Sequence, residues 1–91
     1  MTIGEFAEAV ATYCLIHGGS ITSWGRTTLR NKAVGGVPGS SHRFWRGADV
    51  VYDETETWKD PKRAEYARRL GLKLIAEGDH DHLQPLDWSA G

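Results

Sequence analysis

Residues 47–52, with the sequence Gly-Ala-Asp-Val-Val-Tyr, place a carboxylate inside an apolar run. The β-branched residues of this run predict a central strand. A carboxylate buried in a sheet is costly unless a cation or hydrogen-bond donors surround it. Asp49 also fits a second interpretation, a strand-end residue that caps a loop, and the local sequence does not choose between the two. In the first interpretation, the rest of the chain must bring partners to Asp49.

Two histidine-containing segments supply candidate partners for Asp49. His42 lies seven residues before it, and residues 77–82 form a second cluster with the sequence Glu-Gly-Asp-His-Asp-His. A catalytic zinc site uses three protein ligands and leaves a fourth position for water. Nitrogen and oxygen ligands without thiolates suit zinc. His42, Asp49 and either His80 or His82 would form such a set.

The C-terminal cluster also contains carboxylates that need not be ligands. A zinc hydrolase uses such a group to accept a proton from water. Asp79 lies three residues before His82, and Glu77 lies three residues before His80. In an extended segment the two histidines point to the same face, so that one binds metal while the other lies beside it. The alternative, an acidic-histidine cluster on a solvated loop, stays open at this point.

The periodicity of apolar residues predicts an α+β fold, with a small antiparallel sheet packed against two main helices and the metal site at the sheet. Thr2 and Glu5 form a capping box before the first helix. Asp60 and Pro61 are typical of the start of the second helix. Residues 53–59 are polar and predict a loop. The predicted helices are 3–16 and 61–70, the second with Asp60 as its N-cap, and the predicted strands are 20–24, 47–52, 72–76 and 82–84.

Length and composition limit the organisation and the partners of the chain. Its 91 residues predict a single domain, 1–91, and one cysteine excludes an internal disulfide. Small domains without disulfides often use a metal for stability. A net charge of -1 gives no argument for nucleic acid, and no apolar run is long enough to cross a membrane. The N-terminus lacks a basic signal-peptide region, so we expect cytoplasmic synthesis, no stable membrane association and a monomer.

Five separated pieces of the chain carry a resemblance to a known family. They are Ile-Thr-Ser-Trp-Gly-Arg at 21–26, Asn-Lys-Ala-Val-Gly-Gly at 31–36, Ser-Ser-His at 40–42, Gly-Ala-Asp at 47–49 and Asp-His-Asp-His at 79–82. In this order, they resemble the D-alanyl-D-alanine carboxypeptidase family of zinc peptidases. That family includes L-alanyl-D-glutamate endopeptidases and many phage endolysins, and it shares its metal site with the hedgehog signalling domain. The resemblance covers roughly residues 20–84.

The resemblance assigns roles to individual residues. It implies one zinc ion held by His42, Asp49 and His82. Asp79 corresponds to the general base, with Glu77 as a rival, and His80 lies near the substrate and the developing oxyanion.

The resemblance also covers positions outside the ligand set. Arg26 matches an arginine that binds substrate or polarises its carbonyl, and Ser40 matches a serine that orients the site. The chain departs from the family pattern at two places. Trp45 occupies a position where the family has glycine, so it either lines the cleft or packs beneath the loop. Asp81 stands where an aromatic residue is common.

The function implied is zinc-dependent hydrolysis of an amide bond in the peptide stem of bacterial peptidoglycan. The partner would then be that peptide stem, and the site of action the bacterial cell wall, in host lysis or on a virion. A catalytically silent module of the same fold, stabilised by metal and binding the cell wall or forming part of a virion, is the alternative.

Overall fold

The computed structural model describes residues 1–25 and 45–88, and within them a four-stranded antiparallel sheet carries helices on one face. In chain order, the elements are α1 (Ile3–His17), β1 (Gly19–Trp24), β2 (Ala48–Tyr52), α2 (Thr55–Lys59), α3 (Arg63–Arg69), β3 (Leu72–Ala76) and β4 (Asp81–Pro85). The strand order β1-β2-β4-β3 puts β2 and β4 at the centre. The α+β class, the antiparallel sheet and the central position of the strand that contains Asp49 are therefore confirmed.

Helix α1 begins and ends where its local sequence dictates. The Glu5 backbone N–H donates to the Thr2 hydroxyl at 3.0 Å, and the Thr2 backbone N–H donates to the Glu5 carboxylate at 2.8 Å. This is the predicted capping box. Gly18 ends the helix in the left-handed conformation, at φ 64°. The buried face of α1 consists of Phe6, Ala9, Val10 and Tyr13.

Two predictions for residues 53–70 are wrong. The predicted loop contains the short helix α2, where the Trp58 ring packs edge-on against Tyr52 at 4.8 Å between ring centroids. The next helix begins at Arg63 rather than at Pro61, and its N-cap is Lys62 rather than Asp60. The Asp60 carboxylate accepts a hydrogen bond from the Lys62 backbone N–H at 2.9 Å, so it caps a turn before the helix instead of the helix itself.

Successive side chains along β2 and β4 point to opposite faces of the sheet. Val50 pairs with Asp81 and Asp49 pairs with His82. Directly opposed residues in an antiparallel pair share a face. Buried Val50 and Asp81 thus face the helices, whereas Asp49 and His82 lie together on the opposite face.

A buried polar network crosses the helix side of the sheet. Asp81 is only 1% exposed, and its carboxylate accepts hydrogen bonds from the Tyr52 hydroxyl at 2.6 Å and from Arg63 Nε at 2.7 Å. The Tyr52 hydroxyl also lies 2.7 Å from that of Tyr13. Burial, together with the hydrogen bond to Asp81, raises the pKa of Tyr52 far above its ordinary range. The phenol therefore remains a donor to the carboxylate.

Arg63 connects this network to the two short helices. Its Nη2 donates to the second Asp81 oxygen at 3.2 Å, which makes the ion pair bidentate. Its Nη1 donates to the backbone carbonyls of Trp58 and Asp60. One guanidinium thus joins β4, the end of α2 and the turn before α3.

Replacing Arg63 by Met leaves the Asp81 carboxylate buried without its cation, so we expect the free energy of unfolding to fall by about 3 kcal/mol. The double variant Arg63→Met/Asp81→Leu removes both charges and should lose less than the sum of the two single losses. Urea unfolding followed by tryptophan fluorescence measures the free energy of unfolding of the wild type, the single variants Arg63→Met and Asp81→Leu, and the double variant. Strictly additive losses would contradict a direct coupling of the two side chains.

Candidate metal centre

Asp49 and His82 are brought into contact by the pairing of the two central strands. His82 Nδ1 lies 3.3 Å from Asp49 Oδ1. The two side chains are 10% and 19% exposed, respectively. Because both residues lie within strands and pair directly, the backbone fixes their separation. Two of the three metal ligands that the resemblance implies are therefore adjacent.

His80 approaches the same carboxylate from the connection between β3 and β4. The Glu77 backbone N–H donates to the His80 carbonyl at 3.0 Å and closes this connection. Gly78 takes a positive φ of 90° within it, a conformation that favours glycine. His80 Nε2 then lies 3.8 Å from Asp49 Oδ1. Both histidines of the cluster thus reach Asp49, one from the strand and one from the turn before it.

Two further carboxylates contact the His80 ring at its two nitrogens. Asp79 Oδ1 lies 2.6 Å from Nδ1, and Glu77 Oε2 lies 3.3 Å from Nε2. Nε2 is also the nitrogen nearer to Asp49. The two candidate bases therefore bind opposite ring nitrogens, with Glu77 at the one beside Asp49. The Asp79 side chain is 92% exposed.

These carboxylates favour the charged form of His80. The hydrogen bond to Asp79 is the largest influence and raises the pKa of His80, while partial burial opposes it. The charges of Asp49, Asp79 and Glu77 add to the increase. An imidazolium beside Asp49 is a hydrogen-bond donor, which suits a group that stabilises negative charge on a substrate.

Gln84 is a residue of this site that the sequence patterns did not single out. Its Oε1 lies 2.9 Å from His82 Nε2, so the two side chains are hydrogen-bonded to each other. His82 Nδ1, the other nitrogen, faces the carboxylate of Asp49. The only sequence clue is the two-residue spacing, which puts Gln84 and His82 on one face of a strand.

Trp45 makes packing contacts at the end of β1. The Trp24 indole N–H donates to the Trp45 carbonyl at 3.1 Å, and the two rings meet edge-on at 5.8 Å. Trp45 has a φ of 59°, unusual for a bulky residue. A side chain at Gly25 would collide with the Trp45 ring. Trp24 pairs with Ala48, which faces the helices, so these contacts lie away from the Asp49 face.

Three predicted site residues, Arg26, Ser40 and His42, lie outside the described residues. Within 1–25 and 45–88, no group of three or more His, Cys, Asp or Glu side chains is arranged to hold a metal ion. The ligand set implied by the resemblance takes its third member, His42, from the remaining segment.

Comparisons with known proteins do not identify a family. No family model, curated protein or solved structure matches the chain. None of the helices in the described part of the chain has the length and apolar character needed to cross a membrane.

In protein prepared without metal, we expect NMR titration to give His80 a pKa above its ordinary value, and Asp79→Asn to lower it. Glu77→Gln should lower it less, since the Glu77 charge is the smaller influence. The raised pKa stabilises the fold fully below the unfolded-state pKa, and this contribution is lost as pH rises through the folded-state pKa. An unchanged His80 pKa in Asp79→Asn would contradict the assignment.

Proposed function

We propose that the chain is a zinc-dependent peptidase that hydrolyses an amide bond in the peptide stem of bacterial peptidoglycan. The observation that carries this proposal is the Asp49–His82 pair on adjacent central strands, with His80 at the same Asp49 oxygen. This arrangement is consistent with the D-alanyl-D-alanine carboxypeptidase-like pattern of the sequence. His42 would complete the ligand set, and we expect action at the bacterial cell wall.

The donor chemistry of Asp49 and His82 fits zinc. A carboxylate oxygen and an imidazole nitrogen are both ligands that zinc accepts, and they face each other at 3.3 Å. When bound there, zinc would supply a Lewis acid that makes water acidic near neutral pH and polarises a carbonyl.

Side chains of the protein would carry out the proton transfers of the hydrolysis. The resemblance gives the role of base to Asp79, which would take a proton from water and return it to the leaving amine. The contacts around His80 support Glu77 as the alternative, because Glu77 lies at the ring nitrogen beside Asp49. In that case Asp79 would orient His80 through Nδ1. In both cases His80 donates toward the developing oxyanion, and Arg26 would bind the substrate.

A catalytically silent cell-wall-binding or virion module is the second candidate. Asp79 contacts His80 at the nitrogen away from Asp49, and Trp45 replaces a glycine of the family pattern at a φ of 59°. Both features differ from what the peptidase pattern implies. They favour a domain that keeps the fold and the metal while lacking turnover.

Digestion of purified peptidoglycan, with and without a chelator, distinguishes the two candidates. A peptidase should release fragments, lose this activity in chelator and regain it with added zinc. Mass analysis of the new termini would identify the cleaved bond. Stoichiometric zinc without fragment release would support the binding module, whereas wild-type protein that takes up no zinc would overturn both candidates.

Single substitutions at the two carboxylates identify the base. We expect Asp79→Ala to lower kcat by about 10²-fold or more while zinc remains bound, since a general base contributes about that much. His82→Ala should instead lose the metal, because it removes a ligand. Zinc content and fragment release, measured on the same samples, separate these effects. Full activity in Asp79→Ala together with loss in Glu77→Ala would move the role to Glu77.

A further inference from the structure

We infer that residues 54–59 form a strap that opens independently of the sheet, with the Arg63 guanidinium as its latch. The strap consists of α2 and the residue before it. Its opening leaves the ion pair between Arg63 and Asp81 intact and uncovers the ring of Tyr52. These groups lie on the helix side of the sheet, away from Asp49, so the inference does not rest on the proposed function.

The strap is anchored at its two ends and has little hold of its own. None of the residues of α2 is buried, and the Glu54 side chain makes no capping hydrogen bond. A helix of this length is marginal without tertiary contacts. Just outside the strap, the Asp53 backbone N–H donates to the Gly18 carbonyl at 2.9 Å. At the other end, the Asp60 carboxylate accepts from the Lys62 backbone N–H at 2.9 Å.

Trp58 holds the middle of the strap against the rest of the protein. Its ring packs edge-on against Tyr52, and its backbone carbonyl accepts a hydrogen bond from Arg63 Nη1. The same nitrogen donates to the Asp60 carbonyl at 3.1 Å. The guanidinium also lies over the Tyr52 ring, 5.9 Å from its centroid. The strap and its latch therefore cover one aromatic ring together.

The two sides of the Arg63 guanidinium bind different parts of the fold. Nε and Nη2 donate to the two Asp81 oxygens at 2.7 and 3.2 Å, whereas Nη1 faces the strap. Opening of the strap releases only Nη1, so the buried carboxylate keeps its cation. Unfolding of the sheet must break the ion pair as well, which is costly for a buried charge. We therefore expect the strap to open at a lower free energy than the whole protein.

Hydrogen exchange followed by NMR tests this expectation in the wild type, at urea concentrations below the unfolding transition. The amides of Thr57 and Asp60 donate to carbonyls of the strap, at Glu54 and Thr57, and report its opening. The paired amides of β4 report unfolding of the sheet. We expect the strap amides to exchange faster and to depend little on urea, because local opening exposes little surface. The β4 amides should depend steeply on urea.

Three variants separate the latch from general stability. Arg63→Lys keeps a cation for Asp81 but lacks the fork of donors, so we expect strap amides to exchange about tenfold faster or more. Arg69→Lys is the matched control on the same helix, since Arg69 pairs with Glu65 at the exposed surface, and it should leave strap exchange unchanged. Val10→Ala weakens the buried core. It should speed exchange in β4 but not in the strap, because the core stays packed when the strap opens.

Four results would overturn the inference. One is exchange of the wild-type strap and β4 amides with the same urea dependence, and another is an equal acceleration of both in Val10→Ala. In either case the strap would open only when the whole protein unfolds. Unchanged strap exchange in Arg63→Lys, or an equal acceleration in Arg69→Lys, would show that Arg63 is not the latch. Should Arg63→Lys not fold, the wild type and Val10→Ala still decide whether the strap opens independently.

Discussion

The bidentate ion pair between Asp81 and Arg63 fixes the arrangement on which the candidate site depends. Asp81 is nearly fully buried on the helix side of β4, and His82 follows it on the opposite face. A slip of one residue in the pairing of β4 would exchange the two faces. It would leave Asp81 without Arg63 and Tyr52, and it would turn His82 away from Asp49. The cost of an unpaired buried charge therefore opposes any register other than the one that joins His82 to Asp49.

Local patterns predicted the parts of the fold whose causes are local. The capping box of Thr2 and Glu5 and the β-branched run of β2 depend on neighbouring residues, and both were correctly assigned. Helix α2 and the late start of α3 depend instead on contacts between distant residues. Trp58 packs on Tyr52, and Arg63 donates to the backbone carbonyls at 58 and 60. No periodicity in residues 53–62 encodes those contacts.

The candidate site was predicted in part for the same reason. An aspartate in a central strand needs a partner, and the histidine cluster was the available source, so the approach of a histidine from that cluster to Asp49 was one of the two interpretations that the sequence offered. The choice of His82 came from the resemblance. The sequence does not predict that Asp81 is buried while Asp79 is exposed, although both lie in the same short cluster. Asp81 is buried because Arg63 comes from another element, whereas Asp79 remains exposed beside His80. The contact of Gln84 with His82 likewise forms only once the strand sets the two side chains on one face.

The site divides its groups between rigid and less constrained parts of the backbone. Asp49 and His82 lie in central strands and are paired with a neighbouring strand on each side. Glu77, Asp79 and His80 lie in the connection that follows β3. In the proposed peptidase, the strands would then hold the metal ligands, and the connection would carry the groups that move protons. This division is physically reasonable, because metal geometry tolerates little displacement, whereas proton transfer needs donors and acceptors that can adjust to a substrate.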